Sequence, residues 1–257
     1  MEEKKMKNIT KLTTTALLGA LALGVVAPVA NAAPEEVTGK GVIRFDQSNP
    51  EIPEVTPPGK DEPEIDEPEI NPDKGPLMIV SVTDLDFDTH SIPVGNADRE
   101  YLAKPFTTKA TGTEDDVTMA HFVRYMDIRA DGQQNHHSIM AQLTSPFTHE
   151  TNASSTLEGA SILYNDISIL PVTPTPTAQV PQTGVKTSVE ISDEPVEIVN
   201  NNQDADGGRG LFDLVFGYDE NDNYDNYDSV SLKVPAAVNM QEGEYTGEVT
   251  WTIGDAR

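Results

Sequence analysis

The chain has 257 residues, no cysteine, and a formal charge of -26 from 17 basic and 43 acidic side chains. So strong a polyanion repels nucleic acid and anionic lipid, which excludes both as partners. Without cysteine there is no disulfide framework, no thiolate metal site and no Cys-His hydrolase, so the folded core alone must supply stability. The length admits one large domain or two small ones.

At the start, Lys4, Lys5, Lys7 and Lys11 precede an apolar run from Ala16 to Val29, and Ala30-Asn31-Ala32 follows. That is the pattern of a secretory signal peptide over 1–32, with cleavage expected after Ala32. Pro28 and Asn31 end the run too early for a membrane span, so no membrane contact is expected after cleavage. No Leu-Pro-x-Thr-Gly signal with an apolar tail follows before Arg257, and retention on a cell is expected to be non-covalent.

Residues 37–46, within a short segment 33–48, alternate apolar and polar positions and predict one strand. The stretch 49–76 then carries eight prolines (Pro50, Pro53, Pro57, Pro58, Pro63, Pro68, Pro72, Pro76) and nine acids, with Glu-Pro-Glu-Ile occurring twice. Such a composition predicts an extended, solvated spacer of roughly 80 Å.

From 77 to 257 the chain reads as β. Leu77-Met78-Ile79-Val80-Ser81-Val82 predicts a strand, Leu85-Asp86-Phe87 continues it, and Tyr101-Leu102 follows. Phe122, Arg124, Met126 and Ile128 share one face of the next strand, and His137, Ile139, Ala141 and Leu143 share one face of the one after. Further strands are expected at 157–163, 185–199, 211–216 and 229–234, with a proline-rich loop or edge over 171–181. The final strand alternates most regularly: Tyr245, Gly247, Val249, Trp251 and Ile253 lie on one face, Thr246, Glu248, Thr250 and Thr252 on the other. Many short strands separated by Gly, Pro and Asn predict an all-β, Ig-like antiparallel β-sandwich.

Little in the chain points to catalysis. His90, His121, His136, His137 and His149 are scattered except for one adjacent pair, and neighbours on a strand point to opposite faces, so that pair cannot chelate one ion. There is no Gly-x-Ser-x-Gly nucleophile elbow. Neither an enzyme nor a bound metal or cofactor is expected. Oxygens at Asp219, Asn221, Asn223 and Asp225 have the spacing of a calcium loop, but Tyr224 takes the glycine position and Val230 the final glutamate position. A solvated hairpin tip is the preferred reading; the alternative is a calcium-dependent adhesin or structural subunit working through this loop. Trp251 can be core or a platform for a sugar ring, and the alternation of its strand favours core.

Several of these stretches together resemble the WxL domain, a surface domain of low-GC Gram-positive bacteria. Trp251-Thr252-Ile253 near the C-terminus, with Tyr245 ahead of it, resembles the second Trp-x-Leu motif. His137-Ser138-Ile139 occupies the place of the first, with histidine for tryptophan. Gly75-Pro76-Leu77 followed by Leu85-Asp86-Phe87 resembles the family's opening, with Asp88 where glycine is usual. The resemblance implies a secreted cell-surface protein attached non-covalently to peptidoglycan, assembled with neighbouring cell-surface proteins and without a catalytic role. It also marks Tyr245, Trp251, Thr252, Ile253, His137, Ser138 and Ile139 as the family-motif or wall-binding positions.

Overall fold

The structure is a computed structural model that describes residues 40–44, 50–95, 97–129, 135–172, 175–181, 183–202 and 207–256. The signal peptide expected over 1–32 lies outside the described residues. So does most of the strand expected over 37–46; its described part, 40–44, is exposed and carries no strand.

Fourteen strands are formed by the described residues. In chain order they begin with β1 (Leu77–Val82), β2 (Arg99–Leu102), β3 (Phe106–Lys109), β4 (Asp116–Met119) and β5 (His121–Asp127). Then come β6 (His137–His149), β7 (Asn152–Thr156), β8 (Ser161–Asn165), β9 (Ile167–Pro171) and β10 (Ser188–Ile191). The last four are β11 (Val196–Asn201), β12 (Gly210–Phe216), β13 (Val230–Val234) and β14 (Tyr245–Asp255).

The all-β antiparallel class expected from the sequence is what forms. The strands fall into three sheets, ordered β1-β5-β12-β9, β10-β8-β13-β2 and β11-β6-β14, with β7 on β6 and β3-β4 as a separate hairpin. Among the described residues no helix is long and apolar enough to cross a membrane.

All three sheets feed one core. The β5 strand is central and buried on both faces, so Val123 and Tyr125 are covered as fully as Phe122 and Met126. Tyr125 packs on Phe212 of β12 at 5.3 Å and edge-on to His137 of β6 at 5.2 Å. Tyr164 of β8 and Phe216 of β12 lie 4.5 Å apart and both meet Trp251 of β14. Aromatic pairs at these separations add to what their buried area contributes.

The stretch 49–76, expected as a solvated spacer, is a correction. Its described residues run along the domain and bury apolar side chains: Val55 is 3% exposed and Ile65 5%, and Ile65 bridges Ala110. Ile52 and Ile70 pack against a second cluster of Met78, Val80, Met126, Val172 and Leu211, the outer side of the first sheet. The physical reason is that both faces of that sheet are apolar, so the outer one needs a cover. Ile52 and Ile70 supply it, Val55 and Ile65 join the main core, and the strap's acids remain on the solvent side.

Three smaller expectations also change. Leu85-Asp86-Phe87 forms no strand but a turn. The 157–163 strand begins only at Ser161, because Gly159 makes a turn with φ of +74°. The 185–199 run divides into β10 and β11, interrupted by Ser192-Asp193-Glu194-Pro195. By contrast, the buried positions His137, Ile139, Ala141 and Leu143 on β6 are those that the alternation gave.

Candidate functional site

The two stretches that resemble the family motifs, His137-Ser138-Ile139 and Trp251-Thr252-Ile253, come together in space. Strands β6 and β14 form the longest ribbon of the fold, and their antiparallel register sets Trp251 opposite Ala141, Ile253 opposite Ile139 and Asp255 opposite His137. Ile139 is fully buried, Ser138 and Ile253 are half-buried, and Thr252 is exposed.

His137 is fully buried and structural in its contacts. Its Nδ1 lies 3.2 Å from the Asn135 carbonyl and 3.4 Å from the Asp127 carboxylate, two groups that only accept, so Nδ1 carries the proton. Burial would raise the Asp127 pKa, but hydrogen bonds from His137, Arg129 and Asn135 outweigh it and hold the carboxyl at about 2. Arg129 in turn reaches Asp255, tying this polar knot to the end of β14.

Trp251 is half-buried, its ring edge-on to Tyr164 at 5.7 Å and tilted on Phe216 at 5.8 Å. Its partners are core side chains from two other sheets.

Tyr245, at the other end of β14, occupies a different setting. It lines an open groove of about 780 Å³ between residues 85–92, β2, β6 and the start of β14. The floor is apolar, with Phe147, Leu157 and Leu232 buried beneath it. The walls are aromatic: Phe87 stands edge-on to Phe147 at 6.0 Å, and the exposed His90 ring lies on Tyr101 at 4.5 Å. The Tyr245 hydroxyl accepts from the Gln241 backbone N–H at 2.9 Å and meets Ser155 Oγ at the same distance. Gly247 leaves room for Phe147, whose ring would lie 3.0 Å from any Cβ placed there.

The Leu85-Asp86-Phe87 motif builds one wall of this groove. Asp88 has φ of +63°, a conformation natural for the glycine usual at that position and tolerated by aspartate. Its backbone N–H donates to the Asp86 carboxylate at 2.8 Å, closing a local turn. Lys104 locks the turn from β2's side: its backbone N–H donates to the Asp86 carbonyl, and its ammonium pairs with Asp86 at 3.2 Å and Asp88 at 2.9 Å. The Lys104 hydrogen bond holds the Asp88 carboxyl below its usual range, and the Asp88 and Asp86 hydrogen bonds raise Lys104.

Behind the turn sits His121. Its Nε2 is 2.8 Å from the Lys104 carbonyl, so that nitrogen carries the proton and Nδ1 accepts from the Thr83 hydroxyl at 3.1 Å. Burial pushes this imidazole down to about 4.

The 219–228 loop, expected as a solvated hairpin tip, is tied down on one side. Tyr224 and Tyr227 are buried, the Tyr227 hydroxyl donates to the Phe216 carbonyl at 2.8 Å, and Asp222 pairs with Lys60 of the strap. Among the described residues no three His, Asp or Glu side chains are grouped to hold a metal ion.

A protein-family model described as "WxL domain surface cell wall-binding" matches residues 32–256. The chain belongs to the WxL family. No curated protein and no solved structure matches it. The WxL match makes this a cell-surface, cell-wall-binding protein, and it begins well before β1, so the strap lies within the matched region. In this WxL domain, sequence reasoning reached Tyr245 but missed Phe87, His90, Tyr101 and Phe147 as groove residues. The usable signal was Asp88 in a glycine position, which marks a turn.

Proposed function

We propose that this protein is exported and held non-covalently on the peptidoglycan of a Gram-positive wall, as a binding and not a catalytic member of a surface complex with neighbouring proteins. One observation supports the reading beyond the family itself: the groove beside Tyr245 pairs an apolar, aromatic lining with a polar rim. That combination suits a sugar, whose C–H faces rest on rings while its hydroxyl and acetamido groups meet polar side chains. Trp251 contributes by holding β14 against the core, so the strand that presents Tyr245 is fixed. The 219–228 loop has no part in this reading.

The test is sedimentation of the purified exported chain with bare sacculi. Retention in the presence of a chelator is expected. Loss of retention on chelation would favour a calcium-dependent adhesin, and no retention under either condition would end the peptidoglycan assignment. Affinity isolation from washed cells, sequenced for co-retained exported proteins, tests the complex.

A further inference from the structure

The groove's rim carries more negative than positive charge. Asp86, Asp88, Glu244 and Lys104 line it, three carboxylates against one ammonium, and all four are exposed. Lys104 is already shared between Asp86 and Asp88. The wall's phosphate polymers are anionic and would meet repulsion here, at close range and from a chain of net charge -26. Peptidoglycan offers a different chemistry: an N-acetylated sugar bearing a short peptide, and commonly a free amine on that peptide's diamino acid.

We infer that the groove takes this amine-bearing unit, with the sugar face on His90, Tyr101 and Phe87 and the peptide's ammonium against the Glu244 and Asp86–Asp88 carboxylates. The inference rests on the peptidoglycan reading above and narrows it to a chemical class. The volume, about 780 Å³, is within the range of small-molecule sites, roughly 300–1,000 Å³, and holds a sugar with part of its peptide. The aromatic lining gives affinity without charge, and the carboxylate excess selects an amine over a phosphate.

The test uses calorimetric titration of the full exported chain with three soluble probes: a disaccharide-tetrapeptide released from sacculi, the same fragment acetylated on its free amine, and a glycerol-phosphate polymer. The native chain is expected to bind the first, to bind the acetylated form about fivefold more weakly, as loss of an exposed ion pair allows, and to ignore the polymer. Glu244→Gln is expected to narrow the fivefold difference, and His90→Ala to weaken both fragments equally. Melting temperatures measured beside the titrations report folding separately, since His90 also contacts Tyr101 and the Phe87 carbonyl. Equal affinity for free and acetylated fragments, or saturable binding of the polymer alone, would overturn the inference. If sacculi retain the native chain and both variants alike, the groove assignment falls while the peptidoglycan reading stands. If sacculi fail to retain the native chain, both fall.

Discussion

Arg124 and Asp213 are register partners on β5 and β12, and their side chains form a two-point ion pair with both groups fully buried. The guanidinium donates to Asp213 Oδ1 at 2.8 Å and Oδ2 at 2.9 Å, and to the Thr56 carbonyl at 2.8 Å. The pair therefore sits under the strap, whose Thr56 carbonyl accepts a third hydrogen bond beside the two that Asp213 accepts. Asp213→Ala leaves a buried cation without its anion, which costs about 3–5 kcal/mol. Replacing both partners, as Arg124→Met with Asp213→Leu, should recover most of that loss. Urea denaturation of the two variants checks this; equal loss in both would show that the charges are not coupled.

The strap itself is part of the fold. Ile65→Ala removes a side chain that is 5% exposed and should cost about 2–4 kcal/mol. In the native chain, a protease that cuts after glutamate should leave the Glu54-Val55 and Glu64-Ile65 bonds intact under conditions that digest the unfolded protein. Rapid cleavage there, with an unchanged melting temperature in Ile65→Ala, would restore the spacer.

Stability should depend on pH through His121. Its folded pKa, about 4, lies below the unfolded value of roughly 6.5, so the unfolded state binds more protons between those two values. The contribution is fully present above about pH 6.5 and is lost as pH falls toward 4. The size is on the order of 3 kcal/mol. His121→Gln should show a shallower fall in melting temperature between pH 6.5 and 4. Below pH 4 a second loss is expected as Asp127 protonates, because its folded pKa of about 2 lies beneath the ordinary carboxylate value.

Trp251→Ala should cost about 2–4 kcal/mol, somewhat less than a fully buried tryptophan, and Trp251→Phe about half as much. The reason is loss of contact with Tyr164 and Phe216. Denaturation midpoints measured beside sacculus retention separate the roles. Full stability with lost retention would make the indole a sugar platform after all.

Asp88 holds a positive φ, so Asp88→Val should cost about 1–2 kcal/mol from backbone strain alone. Asp88→Gly should keep the turn but lose the ion pair with Lys104. If valine is as well tolerated as glycine, the turn is not what shapes this wall of the groove.

The sequence by itself determined the class and the family. Period-two alternation marks β6 and β14 because each has one buried and one solvated face, and that asymmetry is written residue by residue. Both motif-like stretches lie inside those strands. Only the tertiary structure decided that the acidic, proline-rich strap folds: composition argues for a spacer, and what overrides it is the apolar outer face of β1, β5 and β12, with a buried ion pair needing the Thr56 carbonyl. The groove was likewise illegible. Phe87, Tyr101, Phe147 and Tyr245 come from four separate segments, each with an ordinary local pattern, and they become one surface only when β2, β6 and β14 are brought together by the core they share.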